Sequence, residues 1–520
     1  MKHFLSIFFV FVTGLLISQD ADVKKLELDA EFKLKAENYE EALEDYLQLL
    51  TVDSKNEIYN YNAGVCYLNS NINKAKAVSY LEIVVRKEKH NPNANFLLGR
   101  AYQYANRFDE AIASFNRFKE LAKGSLDNLS DVEQEIQYSI NAKELIKFPV
   151  DVIFQSLGKA VNSPFADYYP FVTETENYMV FNSKRPVKKD ATKMDNGQYK
   201  NSIFISKVVN GVYTEANLIG EPVCTGNSGE EVIGMNANGD ILLIYKSDFK
   251  GSGKIYITKM FANGNFSKPE LLPVPINSSG DEIAACISND GNIVYFASNR
   301  KGGFGGTDIY SCTKLPNGKW GDPRNCGVGI NTPLNEDFPN LSPDGKTLFF
   351  SSKGHASMGG YDIFKATYDE EQHRFINPRN IGYPVNTSYD DLNFRISKSG
   401  KYGYVASVRG GGNGDYDIYR VSFNETDLDY TVLIGQLVAR DNSVIEFRDV
   451  VISVNDIITK ELIGNYYPNP ASGRSIVILP PGKYILNVEA PGFKNTSMPI
   501  EILDKSSYQS EKHLFIELSK

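Results

Sequence analysis

The chain has 520 residues, carries 55 Lys and Arg against 64 Asp and Glu, and holds a formal net charge of −9. That length exceeds what one hydrophobic core fills and predicts about three domains. No basic stripe accompanies the acidic balance, which argues against nucleic acid as a partner, because phosphate backbones demand concentrated positive charge. Tyr and Phe are abundant, at 31 and 30, beside one Trp and 41 Gly, a bias that suits β-strands joined by tight turns.

Residues 1–18 read as an export signal. Lys2 and His3 precede an apolar run from Phe4 to Ile17, and Ser18–Gln19 offers a cleavage point. The run is short for a membrane span of about 20 residues and no stop-transfer cluster follows it. No Cys lies near the cleavage point, which argues against a lipidated N-terminus, and no later run is apolar enough to cross a bilayer. The five cysteines, Cys66, Cys224, Cys286, Cys312 and Cys326, show neither a CxxC nor a metal spacing. Cys312 and Cys326 flank an Asn317–Gly318 turn. A two-residue hairpin there sets Cys312 opposite Pro323, so no disulfide framework is predicted.

Over residues 20–147 a period near 34 emerges. Small residues recur at Ala30, Gly64 and Gly99, then at Ala42, Ala77 and Ala111, with Tyr46, Leu81 and Phe115 four places beyond the second set. Two antiparallel helices cross closely where one offers a small side chain and the other a bulky one, so the pattern predicts three helical hairpins. Ile136, Ile140, Leu145 and Ile146 suggest a closing helix that shields the last repeat. The clearest copy, Leu98-Gly99-Arg100-Ala101-Tyr102 with Phe108, Ala111 and Phe115, resembles the tetratricopeptide repeat (TPR). That resemblance implies a concave partner-binding face, on which Tyr61, Asn69, Arg100, Gln103 and Tyr104 are the expected binding residues; packing or solvation is the competing reading of each.

Over residues 148–426 a second period, near 54, takes over. Its strongest element is a strand at Ser202-Ile203-Phe204, Lys254-Ile255-Tyr256, Asp308-Ile309-Tyr310, Asp362-Ile363-Phe364 and Asp417-Ile418-Tyr419. Hairpin turns such as Asn289-Asp290-Gly291-Asn292 precede these strands, and an aromatic follows at Tyr213, Phe266, Trp320 and Phe375. A four-stranded sheet cannot cover its own two faces, whereas radial stacking covers them, so five units predict a five-bladed β-propeller. The fifth unit lacks its downstream aromatic. Val150-Asp151-Val152-Ile153-Phe154, followed by Val161-Asn162-Ser163, matches the outer end of the other units, so residues 150–157 are expected to close the ring.

The pattern around Ser342-Pro343-Asp344-Gly345-Lys346 and Asp362-Ile363-Phe364 resembles the TolB-type PD40 repeat. The stretches Gly302-Gly303-Phe304-Gly305-Gly306 and Gly410-Gly411-Gly412 lack the Lys-Ser/Thr of a phosphate loop and are expected to be turns. Arg185, Arg300 and Arg409 recur after strand ends, and Asp308, Asp362 and Asp417 begin strands. They are candidates for a binding rim, although repetition with the blades favours turn capping.

Over residues 427–520, Val450, Ile452 and Val454 alternate with polar neighbours, as do Tyr484, Leu486 and Val488, which predicts an antiparallel β-sandwich. The run from Ser472 through Leu479-Pro480-Pro481-Gly482-Lys483-Tyr484 to Pro491-Gly492-Phe493 resembles the carboxypeptidase regulatory-like domain, which implies a transthyretin-like module without a catalytic centre. The expected fold class is therefore multidomain, α then β: a TPR α-solenoid, a propeller and a sandwich.

This order is similar to PorE-type accessory proteins of the Bacteroidota type IX secretion system and to related OmpA-family envelope proteins. The resemblance implies a non-enzymatic periplasmic scaffold, associated with the outer membrane, whose partners are proteins of a secretion or gliding complex. The chain departs from the family in lacking a terminal OmpA-like domain, so attachment through a partner is expected rather than direct peptidoglycan binding. Two other readings are a peptide- or glycan-binding envelope receptor and a propeller hydrolase. Against the latter, His3, His90, His355, His373 and His513 are scattered, no Gly-x-Ser-x-Gly elbow or two-His metal motif occurs, and no catalytic residue, metal or cofactor is expected.

Overall fold

The computed structural model describes residues 21–87, 89–122, 129–225, 229–247, 253–409, 412–424, 430–502 and 511–520. The expected export signal and Gly410 and Gly411 lie outside these. By its contacts the chain divides into two units, Met1–Val132 with Lys188–Lys200, and Glu133–Val187 with Asn201–Lys520.

The first unit is helical: α1 (21–35), α2 (Tyr39–Val52), α3 (Glu57–Asn69), α4 (Ala77–Val85), α5 (Asn93–Tyr104) and α6 (Phe108–Leu121). The Asn56 side chain accepts from the amides of Ile58 and Tyr59 and so caps α3, while Asp109 and Glu110 place negative charge in the first turn of α6. The small-against-large rule is visible at the crossings. A Cβ on Gly64 would lie 2.6 Å from Leu81, and one on Gly99 would lie 2.5 Å from the Phe115 ring. Ala30, Ala42, Ala77 and Ala111 are fully buried beside them. The segment Lys188–Lys200 joins this unit, with Gly197 against Asn38 and Lys193 paired to Glu41 at 3.3 Å.

The second unit holds five successive antiparallel sheets. Sheet 1 contains Asp167–Val172, Tyr178–Ser183 and Ser202–Val209 with short outer strands; sheet 2 contains Glu231–Met235, Ile241–Ser247, Gly253–Lys259 and Glu270–Leu271. Sheet 3 contains Ala284–Ile287, Ile293–Ser298, Asp308–Thr313 and Arg324–Asn325; sheet 4 contains Glu336–Leu341, Thr347–Ser352, Asp362–Asp369 and Arg374–Asn380. Sheet 5 takes Arg395–Ile396, Tyr402–Ser407 and Asp417–Phe423, and its outer strand is Val152–Ser156 from the far end of the region. This last pairing sets Phe154 opposite Val421, the closure the sequence predicts.

Alternation explains why the sheets stack. In sheet 2, Val232 and Leu242 face sheet 1, where Phe171 and Val180 meet them, whereas Ile233 and Leu243 face Ala285 and Phe296 of sheet 3. Leu348 and Phe350 of sheet 4 meet Tyr295 of sheet 3, while Phe349 meets Val405 of sheet 5. Met179 and Phe181 of sheet 1 then pack with Tyr404 and Ile418 of sheet 5, which completes a ring. The hairpin register places Ser311 opposite Arg324, so Cys312 stands opposite Pro323, and all five cysteines are free.

Helix α7 spans Leu129–Leu145. From Glu133 onward it belongs to the second unit, not to the last repeat alone. Its buried polar residues explain this: the Tyr138 hydroxyl donates to the Lys353 carbonyl at 2.8 Å and Asn141 donates to Ser357 at 2.7 Å. The chain ends in a three-stranded sheet (Thr431–Ala439, Arg474–Leu479, Glu511–Leu518) and a four-stranded sheet (Val451–Asp456, Leu462–Tyr466, Gly482–Glu489, Thr496–Ile502). One core joins them, with Val450, Ile452, Val454, Tyr484, Leu486 and Val488 buried in it as their alternation predicts.

Two outcomes follow. Gly99→Ala forces the Phe115 ring aside and should lower the unfolding free energy by about 1–3 kcal/mol in urea titration. Deleting Val152–Ser156 removes a ladder worth about 5 kcal/mol and bares a sheet edge, so the melting temperature should fall and aggregation should rise in light scattering.

Candidate functional site

The recurring arginines lie just past the ends of the second strands of their sheets and are partly buried, whereas the recurring aspartates begin the third strands and are buried. Arg185 pairs with Asp167 at 2.6 Å and also donates to the Val161 carbonyl. Arg300 pairs with Glu282 at 3.1 Å and donates to Pro275 and Ile276, and Arg409 donates to Pro384 and Val385. Each guanidinium therefore ties its sheet to the loop that leads into that sheet's own first strand. Sheet 4 has Gly354 at that position, and His355 substitutes, its Nε2 lying 3.0 Å from the Ile330 carbonyl. Burial pulls this imidazole down to about 4, so it is neutral and Nε2 donates. Asp308 accepts from the Phe304 and Gly305 amides, Asp362 from Met358, and Asp417 from Asn413. All three aspartates are buried. Each holds the turn that precedes its strand.

The five residues expected on the helical concave face differ among themselves. Arg100 donates to the Tyr104 hydroxyl at 2.7 Å, and the ammonium of Lys74 lies 5.7 Å from the same ring. Tyr61 is partly buried, Asn69 is exposed and donates to the Val65 carbonyl of its own helix, and Gln103 is buried. The structure thus brings Arg100 and Tyr104 together with Lys74, which the sequence reading did not single out. Exposed apolar side chains also stand on this unit at Leu28, Phe32 and Ile58.

A second group was missed altogether. Sheets 1 and 4 are not neighbours in the ring, yet Tyr169 meets Phe338 with ring centroids 4.8 Å apart, so this contact crosses the interior. Both residues have left-handed backbone, φ 53° and 49°, at bulges in their inner strands, a strain that the surrounding ladder holds in place. Beside them, Glu231 is held by Asn201 and the Tyr168 hydroxyl, with Lys184 nearby. Burial raises its carboxyl, and the lysine and the hydrogen bonds act against that rise. Asp337 accepts from the Phe338 amide at 2.8 Å, and burial pushes it up to about 7. Glu231 and Asp337 each follow the inner acid of their sheet, Glu230 and Glu336, where sheets 1 and 3 have Tyr168 and Ile283. A carboxylate at that register is the signal that marks them. Among the described residues no group of His, Cys, Asp and Glu has the makings of a metal site, and no helix is long and apolar enough to cross a membrane.

The pH dependence of Asp337 has a definite sign. Its folded value lies above the unfolded one, so the buried carboxyl favours folding below about pH 4 and loses that contribution as pH rises through 7. Asp337→Asn keeps the acceptor for Phe338. It should stabilise the protein at about pH 8, by up to roughly 4 kcal/mol, and leave it unchanged near pH 4 in urea unfolding.

The tetratricopeptide repeat family matches residues 71–125. No curated protein matches the chain. Among solved structures, TolB from Acinetobacter baumannii is 14% identical, with 55% of this chain and 70% of that one covered and a TM-score of 0.32. A putative TolB from Agrobacterium tumefaciens is 15% identical over 64% of this chain and 98% of that one, at a TM-score of 0.31. An α-L-arabinanase from Penicillium chrysogenum, solved with arabinobiose, is 11% identical over 52% and 99%, at 0.33.

Proposed function

We propose that this chain is a non-enzymatic interaction scaffold of the cell envelope, in which a TPR array, a five-bladed propeller and a transthyretin-like sandwich offer surfaces to other proteins. The observation that carries this reading is the inward use of the repeating polar residues. Arg185, Arg300, Arg409 and the strand-initial aspartates all close contacts within the second unit, and the two axial carboxylates, Glu231 and Asp337, are each held by neighbours rather than left poised. The helical unit, in contrast, exposes Leu28, Phe32 and Ile58 and sets Arg100, Tyr104 and Lys74 side by side. Aromatic and arginine side chains of this kind dominate protein interfaces. The finer reading, taken from the domain order, is an exported periplasmic protein that docks at the outer membrane and assists type IX secretion or gliding.

Crosslinking of the full chain in its own envelope, followed by affinity capture and mass spectrometry, tests this. Recovery of outer-membrane secretion or motility components is expected, with the yield falling several-fold for the double variant Arg100→Glu/Tyr104→Ala while its circular dichroism is unchanged. A soluble glycan as the only ligand, or turnover in a broad glycoside and peptide screen, would contradict the scaffold.

A further inference from the structure

Arg395 stands on the inner strand of sheet 5 and is only 6% exposed. Its guanidinium donates through Nη1 to Asn340 Oδ1 of sheet 4 at 2.8 Å and through Nη2 to the Met235 carbonyl of sheet 2, and it lies 4.8 Å from the Phe171 ring of sheet 1. Counting back five places from the hairpin glycines Gly239, Gly291, Gly345 and Gly400, and from Glu176 in sheet 1, gives Gly234, Cys286, Asn340, Arg395 and Phe171. One register position from all five sheets therefore converges on the axis, and Arg395 is the sole charge in it. Asn340, Met235 and Phe171 are neutral partners, and among the described residues no carboxylate lies within ion-pair distance of this arginine. Burial pushes the Cys286 thiol up to about 12, so it supplies no counter-charge, while Arg395, pulled down to about 10, keeps its proton at neutral pH. A buried cation without an anion is costly.

The cost has a place to be relieved. A cavity of about 450 Å³ reaches Arg395 between sheets 3 and 4, walled by Met235, Ile287, Tyr295, Leu341 and Tyr368. At its mouth stand Asp290 and Asp344, each held by its own turn through Ser288 and Ser342, together with Glu370 and Lys346. Acidic groups at the entrance repel polyanions such as nucleotides, whereas apolar walls over one arginine suit a single negative charge on an apolar body. We infer that this cavity binds a monocarboxylate with an apolar tail, the carboxylate seated on Arg395. A free organic acid and the C-terminus of an apolar peptide share that chemistry.

The test is thermal stabilisation of the full chain, with dissociation constants from isothermal titration. The probes are hexanoate, an N-acetylated Ala-Ala-Leu peptide with a free C-terminus, the same peptide as its amide, and inorganic phosphate. Saturable stabilisation by at least one of the two carboxylates is expected, and whichever acts identifies the source; the amide and phosphate should be inert. Arg395→Gln should weaken binding by at least about ten-fold, as loss of a charge-assisted contact does. Ile293 also lines the cavity; Ile293→Trp fills it and leaves Arg395 in place, so it should abolish binding and decides the matter if Arg395→Gln misfolds. No response to either carboxylate, an equal response to amide or phosphate, or undiminished binding by Ile293→Trp overturns the assignment.

Discussion

The β-rich unit depends on one recurring amide clamp. The central isoleucine of each third strand is fully buried, yet in sheets 2 and 3 the outer strand is only Glu270–Leu271 and Arg324–Asn325. The backbone of the central isoleucine needs another partner, because a buried peptide group without one costs about 1–3 kcal/mol. Asn277 supplies it: Oδ1 accepts from the Ile255 amide at 2.8 Å, and Nδ2 donates to the Ile255 carbonyl at 3.0 Å. Asn331 does the same for Ile309 and Asn386 for Ile363. In sheet 1 the equivalent is Cys224, whose sulfur accepts from Ile203 at 3.4 Å, a longer and weaker version. Ile418 is clamped by Asn162, which follows the strand that closes the ring. The N-terminal segment thus brings to sheet 5 both the outer strand and the amide that sheets 2, 3 and 4 find downstream.

That repetition frees the axis to be irregular. The clamps and the arginine brackets sit where each sheet meets its loop, so the inner strands vary without loss of the ring. The variation is concentrated in Tyr169 against Phe338 and in Arg395 spanning sheets 5, 4 and 2. Repeated residues hold the fold, and the residues that break the repeat give the molecule its individual chemistry.

This division also explains what was legible in the sequence. Helical crossings at Gly64 and Gly99, the buried isoleucines, the closing strand and the Cys312 register all follow from local spacing and small-against-large packing. The structural reading of Arg185, Arg300 and Arg409 rests on their recurrence, and in the structure these partly buried guanidiniums donate to loop carbonyls. Spacing is silent on groups that meet only across the ring. Nothing local says that Arg395 reaches Met235, 160 residues away, although a lone charge at a register otherwise held by Phe, Gly, Cys and Asn is a trace of it. Spacing is likewise silent on the ties of helix α7 to the β-rich unit, because the acceptors for Tyr138 and Asn141 lie over 200 residues downstream.

The claim that Asn162 and residues 152–156 make sheet 5 equal to the others is open to direct measurement by hydrogen exchange and mass spectrometry. Peptides containing Ile255, Ile309, Ile363 and Ile418 should exchange with one common, slow protection, and Asn162→Ala should release the Ile418 peptide first. Fast exchange at Ile418 in the native chain, or protection there that ignores Asn162→Ala, would contradict the account.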